Sequence, residues 1–111
     1  EAVVFVGGPG TFVYFEDPTV HAIAQAFYNA GKLTCAICAA PGILAYTGLL
    51  KGKHVTSWPG VSDIVKEKGG RYTGEPVEQD GNLITADGPS SAEEFGEKIA
   101  MELKKSTEKA L

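Results

Sequence analysis

Two cysteines lie three residues apart in the stretch CAICAAPG, residues 35 to 42, and the chain of 111 residues has no others. Three chemistries compete for Cys35 and Cys38. The first is a redox pair. A thioredoxin-like Cys-x-x-Cys opens a helix, where the N-terminus activates the leading thiol. Here Cys35 falls inside the apolar run Leu33–Ile37, and an offset of three on a strand sets two side chains on opposite faces. A disulfide would require that strand to break. The second is a metal clip. Zinc takes about four ligands, and only His21 and His54 could join the thiols, neither at ligand spacing. No metal is therefore expected. The third is a single nucleophile, Cys38, on a sharp strand-to-helix elbow. Ala36, Ala39 and Ala40 are small enough to let the backbone make that turn. Backbone N–H groups of Ala39 and of the Gly7-Gly8 loop would then form an oxyanion hole. Spacing alone leaves this reading level with a plainer one, in which Cys38 is a small apolar core residue.

Several elements must position these residues. Ala2–Val6 is a continuous apolar run, rich in β-branched residues and stopped by Gly7-Gly8-Pro9-Gly10, which reads as a strand buried on both faces. Asp17-Pro18 supplies a helix cap and first residue, Val20, Ile23, Ala24 and Phe27 follow at helical spacing, and Gly31 ends the helix. A second strand, 33–37, leads to Cys38, and residues 39–46 read as a helix closed by Gly48. A third strand is expected over 54–58, ended by Pro59-Gly60, and a short helix carries Val61, Ile64 and Val65. Asp80-Gly81 marks a hairpin between 77–79 and 82–86. Ser90 or Ser91 with Glu93 or Glu94 offers a capping box for a last helix bearing Phe95, Ile99 and Leu103. Strands alternating with helices imply an α/β layered sandwich with a mostly parallel sheet. In such sheets sites form beyond the carboxyl ends of the strands, where both Gly7-Gly8 and Cys38 fall.

Composition excludes several classes. Net charge is −4, with the basic residues scattered, so no nucleic-acid partner is expected. No apolar stretch is long enough to span a membrane and no signal peptide is visible, which makes a cytoplasmic location the expectation. The chain begins Glu1-Ala2 without an initiator Met, which reads as a processed chain or a fragment. Glu16-Asp17 and Glu93-Glu94 stand at helix N-termini, where capping accounts for them. Gly7-Gly8-Pro9-Gly10 lacks the Lys-Ser/Thr of a phosphate loop.

Four stretches, VVFVGGPGT, AICAAPGIL, KGKHVTSWPG and VEQDGNLITADGPSSAEEF, resemble in that order the ThiJ/PfpI family, and the resemblance covers almost the whole chain. It implies a flavodoxin-like, class I glutamine amidotransferase-like three-layer sandwich. By the same resemblance Cys38 is the reactive cysteine, Cys35 is a buried strand thiol, and Gly8 and Ala39 supply the oxyanion N–H groups. Gly7 and Trp58 would border the substrate. Pro41, Asp80-Gly81 and Gly88-Pro89 match structural landmarks.

The chain departs from the family at two positions. Protease-like members carry a His directly after the cysteine, where this chain has Ala39. Deglycase-like members carry one before the Pro of the third strand, where this chain has Trp58. His21 and His54 are poor substitutes. An acidic residue expected near the cysteine also has no match. The family fold begins with two β–α units before the Gly-Gly strand, so residues 1–111 read as the C-terminal portion of one domain. The missing units would come from a separate chain or a nicked remainder, in an oligomer.

The function expected from the resemblance is a cysteine enzyme, without cofactor, acting on small reactive carbonyls in the manner of glyoxalases and deglycases. The alternatives are an oligomeric intracellular peptidase acting on peptides, a redox-sensing or chaperone-like stress protein that turns nothing over, and an inactive structural relative.

Overall fold

The computed structural model describes residues 1–110, with side chains through residue 105. Six strands and four α-helices follow in the order β1 (Ala2–Val6), α1 (Pro18–Asn29), β2 (Leu33–Ile37), α2 (Pro41–Thr47), β3 (His54–Val55), α3 (Ser62–Glu67), β4 (Arg71–Tyr72), β5 (Val77–Asp80), β6 (Leu83–Ala86) and α4 (Ala92–Ala110). A four-stranded sheet has the order β1-β2-β6-β5, and β3 and β4 form a small parallel pair beside it. β1, β2 and β6 run parallel, with Ala2 opposite Leu33 and Thr34 opposite Leu83; β5 is antiparallel to β6.

Alternation along β2 divides the core. Ala36 packs with Ala24 of α1, Leu44 and Ala45 of α2, and Val65 of α3. Cys35 and Ile37 face the other way, onto Phe95 of α4 with Ile84 and Ala86 of β6. Helices thus cover both faces, and the expected flavodoxin-like α/β sandwich is what forms. Asp17 caps α1 as its sequence implies, its Oδ1 accepting from the N–H groups of Thr19 (2.9 Å) and Val20 (3.3 Å). Gly48, at φ +84, closes α2. The Asp80-Gly81 signal holds as well: Asp80 pairs with Leu83 across a two-residue turn, with Gly81 at φ +62. The Asn82 side-chain amide donates to the carbonyls of Tyr28 (3.1 Å) and Lys32 (2.9 Å), tying the hairpin to the end of α1.

Four expectations change. β1 is not buried on both faces: it is the sheet's outer strand, with Val4 43% and Val6 77% exposed. Of the apolar stripe on α1, Ala24 is buried but Ile23 stays 43% exposed. The third strand ends at Val55, because the Thr56 N–H goes to the Thr85 side chain (2.9 Å) and the Trp58 N–H to the Cys38 carbonyl (2.7 Å). Ser91 makes no capping box: its hydroxyl donates to Asp87 Oδ1 at 2.5 Å.

Candidate functional site: a strained cysteine at the sheet edge

β2 ends at Ile37, and the next residue, Cys38, turns the chain with φ +67. It is the only non-glycine residue at positive φ among the described residues. A side chain held there costs of order 1–3 kcal/mol and persists only where its surroundings over-determine it. Here both backbone groups of Cys38 are clamped. Its N–H donates to the carbonyl of Ala86, at the end of β6 (3.0 Å), and its carbonyl accepts from Trp58 N–H (2.7 Å). Ala39 and Ala40 are buried beneath the turn, and α2 starts only at Pro41.

The Gly7-Gly8 loop closes over the turn from the end of β1. Gly7 N–H donates to Ile37 O (3.1 Å), and a Cβ added at Gly7 would stand 2.6 Å from both the Ala39 and Ala40 nitrogens. Only glycine allows that approach. Gly8 N–H donates to Thr11 Oγ1 at 2.6 Å, so this amide is engaged within its own loop. Ala39 N–H has no acceptor among the described residues.

Two apolar cavities meet at Cys38. One, of about 310 Å³, is lined by Gly8, Pro9, Phe12, Cys38, Ala39 and Trp58. The other, of about 460 Å³, lies toward α4, between Val4 and Val6 of β1 and Phe95 and Ile99. Neither wall carries an imidazole or a carboxylate. His21 is held by Phe15 O, 2.6 Å from its Nε2. His54 faces Asp80, 3.5 Å from Nδ1 to Oδ2, at the end of the sheet where β2 and β6 begin and Cys38 does not lie.

The sequence-derived set therefore assembles: Gly7, Gly8, Cys38, Ala39 and Trp58 all gather at the carboxyl ends of β1 and β2. Phe12 joins them in the cavity wall from outside that set. Its only signal is an aromatic in the tetrapeptide Thr11–Tyr14 just after the glycine loop, which forms a short 3-10 turn.

The two thiols differ sharply. Both are free. Cys35 is fully buried, and burial pushes its thiol from the ordinary 9.0 up to about 12. Cys38 is only partly buried and, through its left-handed turn, packs against the same α4-side cluster as Cys35. Strict alternation, which would set the thiols on opposite faces, ends with the strand.

A pH dependence follows from Cys35. Below pH 9.0 the thiol is protonated in both folded and unfolded chains. Above it the unfolded thiol ionises first, so the folded state loses stability until the folded thiol itself titrates near 12. The expected slope is about 1.4 kcal/mol per pH unit. Urea denaturation of wild type and Cys35→Ala at several pH values from 8 to 11 isolates the effect, because other titrating groups cancel. Wild type should lose ground to the variant as pH rises, and a constant difference would refute the assignment.

No helix among the described residues is long and apolar enough to cross a membrane. The sequence profile of the DJ-1/PfpI family matches residues 1–102. Protein dj-1beta of Drosophila melanogaster is 38% identical over 104 residues, 93% of this chain and 56% of that protein. The crystal structure of Drosophila DJ-1beta aligns at a TM-score of 0.85 with 39% identity, covering 92% of this chain and 55% of that one. A glutathione-independent glyoxalase of Schizosaccharomyces pombe is 32% identical over 98 residues, 88% of this chain and 51% of that protein. A deglycase of Pyrococcus horikoshii is 30% identical over 90 residues, 81% of this chain and 54% of that protein. The chain spans about half the length of the curated relatives it matches, as with the 54%, 56% and 48% of three of them. With the family profile matched over residues 1–102 and 38% identity to Drosophila dj-1beta across 93% of this chain, the chain belongs to the DJ-1/PfpI family.

Proposed function

We propose that Cys38 is the nucleophile of a glyoxalase- or deglycase-type reaction on small reactive carbonyls. The observation that carries this reading is Cys38 itself, the one non-glycine residue at positive φ among the described residues, where two cavities converge with an Ala39 N–H that has no acceptor among them. Relatives named as a glyoxalase and a deglycase support the substrate class.

The Cys38 sulfur attacks the carbonyl carbon, a C–S bond forms, and the π pair moves onto oxygen. Ala39 N–H donates to that oxyanion, and Gly8 N–H is a second donor once it turns from Thr11. With an α-oxoaldehyde, the proton on the attacked carbon moves to its neighbour, giving the thioester of a 2-hydroxy acid. Water then cleaves the C–S bond and the thiol returns. The net change is addition of one water, with no external oxidant or reductant. Proton transfer falls to water or to a group outside the described residues, since neither cavity wall offers a base.

The same reading makes these residues part of a larger domain. The unpaired side of β1, with Val4, Val6, Val13 and Tyr14 all more than 40% exposed, is the kind of edge that further β–α units would cover. Free cysteines accord with a cytoplasmic setting.

The test is consumption of methylglyoxal without glutathione, followed while iodoacetamide is titrated in and each cysteine is read by peptide mass spectrometry. Activity should fall in proportion to alkylation of Cys38, with Cys35 unlabelled. Turnover that survives complete alkylation of Cys38 would end this reading.

A further inference from the structure

We infer that the cleft between Phe12 and Trp58 is an aryl-binding subsite that directs Cys38 toward uncharged carbonyl compounds bearing a flat aromatic group, and against their carboxylate-bearing counterparts. This rests on Cys38 being the nucleophile and goes beyond it by naming what the site selects.

The lining is the first argument. Gly8, Pro9, Phe12, Ala39 and Trp58 surround Cys38 in the 310 Å³ cavity, and none of them carries a charge. The volume sits at the small end of ligand pockets. An anionic substituent placed there would leave water without a cationic partner, which is strongly unfavourable.

The rigidity of the two aromatic walls is the second. Trp58 is tied to the elbow through its backbone, N–H to Cys38 O at 2.7 Å. Its indole folds back across Gly60 so closely that a methyl added there would collide with the six-membered ring. Phe12 packs against Phe15, ring centroids 4.9 Å apart at 41°. Phe15 is in turn buried over Gly42, where an added Cβ would come within 2.5 Å of its Cζ. Trp58 is thus backed directly by a contact that only glycine permits and Phe12 indirectly, through Phe15, yet Trp58 and Phe12 remain 44% and 49% exposed. Aromatic rings held in place from behind and exposed on the cavity side bind a planar ring at little ordering cost. Each ring should contribute up to about tenfold in affinity or kcat/KM.

Two readouts separate this inference from the enzymatic reading beneath it. The first is alkylation of Cys38 in the purified protein by N-phenyl iodoacetamide and by iodoacetate, each rate divided by that for free glutathione. The second is kcat/KM for phenylglyoxal, 4-carboxyphenylglyoxal and methylglyoxal. Wild type should favour the neutral aryl reagent over the anion by about tenfold or more, and phenylglyoxal over its carboxylate by a similar factor. Trp58→Ala and Phe12→Ala should each lower the phenylglyoxal-to-methylglyoxal ratio of kcat/KM, and the rate with N-phenyl iodoacetamide, by up to about tenfold, whereas Trp58→Phe should keep most of both. Gly60→Ala, which displaces the indole without removing it, should act like Trp58→Ala and guards against loss of fold in the larger truncation. Ratios near one in wild type, or ratios unchanged in these variants, would overturn the subsite. Alkylation selectivity without turnover of any carbonyl would sustain the subsite and overturn the enzyme.

Discussion

Cys38→Ala should abolish carbonyl turnover, with kcat/KM falling by more than about a thousandfold, and Cys38→Gly should do the same while being the more stable variant by about 1 kcal/mol. Loss of activity is what any nucleophile predicts. The order of stabilities is specific to this turn. At φ +67 a Cβ is crowded against the backbone and a glycine is not. Alanine keeps that penalty while losing the sulfur, so the two variants differ mainly by the strain and by the greater freedom glycine gives the unfolded chain, which offsets part of it. A difference of about 1 kcal/mol corresponds to roughly 4–8 °C in midpoint for a domain of this size. Thermal and urea denaturation of the two proteins measure it directly. If Cys38→Ala proves the more stable, the left-handed elbow is not the conformation that holds in solution. If the predicted order is found, Cys38 is a destabilising side chain held in place, as expected of the proposed nucleophile.

The place of the elbow was legible in the sequence, but its geometry was not. An apolar run ending in Cys38, small residues on either side and Pro41 beyond are local signals, and each of them held. Nothing local announces a positive φ at a cysteine. That conformation is imposed from afar, by Ala86 O on the Cys38 N–H and Trp58 N–H on its carbonyl. The Trp58 bond, together with that of Thr56 N–H to Thr85 Oγ1, also explains why 54–58 falls short as a strand: its last amide serves the elbow instead of a ladder. β1 misled in a different way. A continuous apolar run records what a strand is built to be packed against, and the described residues cover Val3 and Phe5 better than Val4 and Val6. Phe12 was invisible because its importance lies in packing on Phe15 across a 3-10 turn that no periodicity marks.

Gly7→Ala should cost about 3 kcal/mol and take the activity with it, whereas Gly8→Ala, one residue along, should change stability by no more than about 0.5 kcal/mol. The added Cβ at Gly7 would lie 2.6 Å from the nitrogens of Ala39 and Ala40 and 2.9 Å from Ile37 O. All three are backbone atoms, so no side chain can swing away, and relief requires β1 and the elbow to separate. At Gly8 nothing lies within 4 Å of the same added atom. Neighbouring glycines in one loop therefore serve different ends. The first lets two strands' ends close on one another, and the second keeps a chain segment small beside the cleft. Urea denaturation of both variants tests the contrast, and equal costs at the two positions would contradict it. The activity of Gly7→Ala adds a further constraint, because separating the loop from the elbow moves Gly8 N–H and Ala39 N–H apart. In the proposed mechanism these two donors converge on one oxygen, and that convergence is lost when the distance between them grows. Turnover should therefore fall even under conditions where Gly7→Ala remains fully folded, and cooling the variant until its circular dichroism matches wild type is the way to show it.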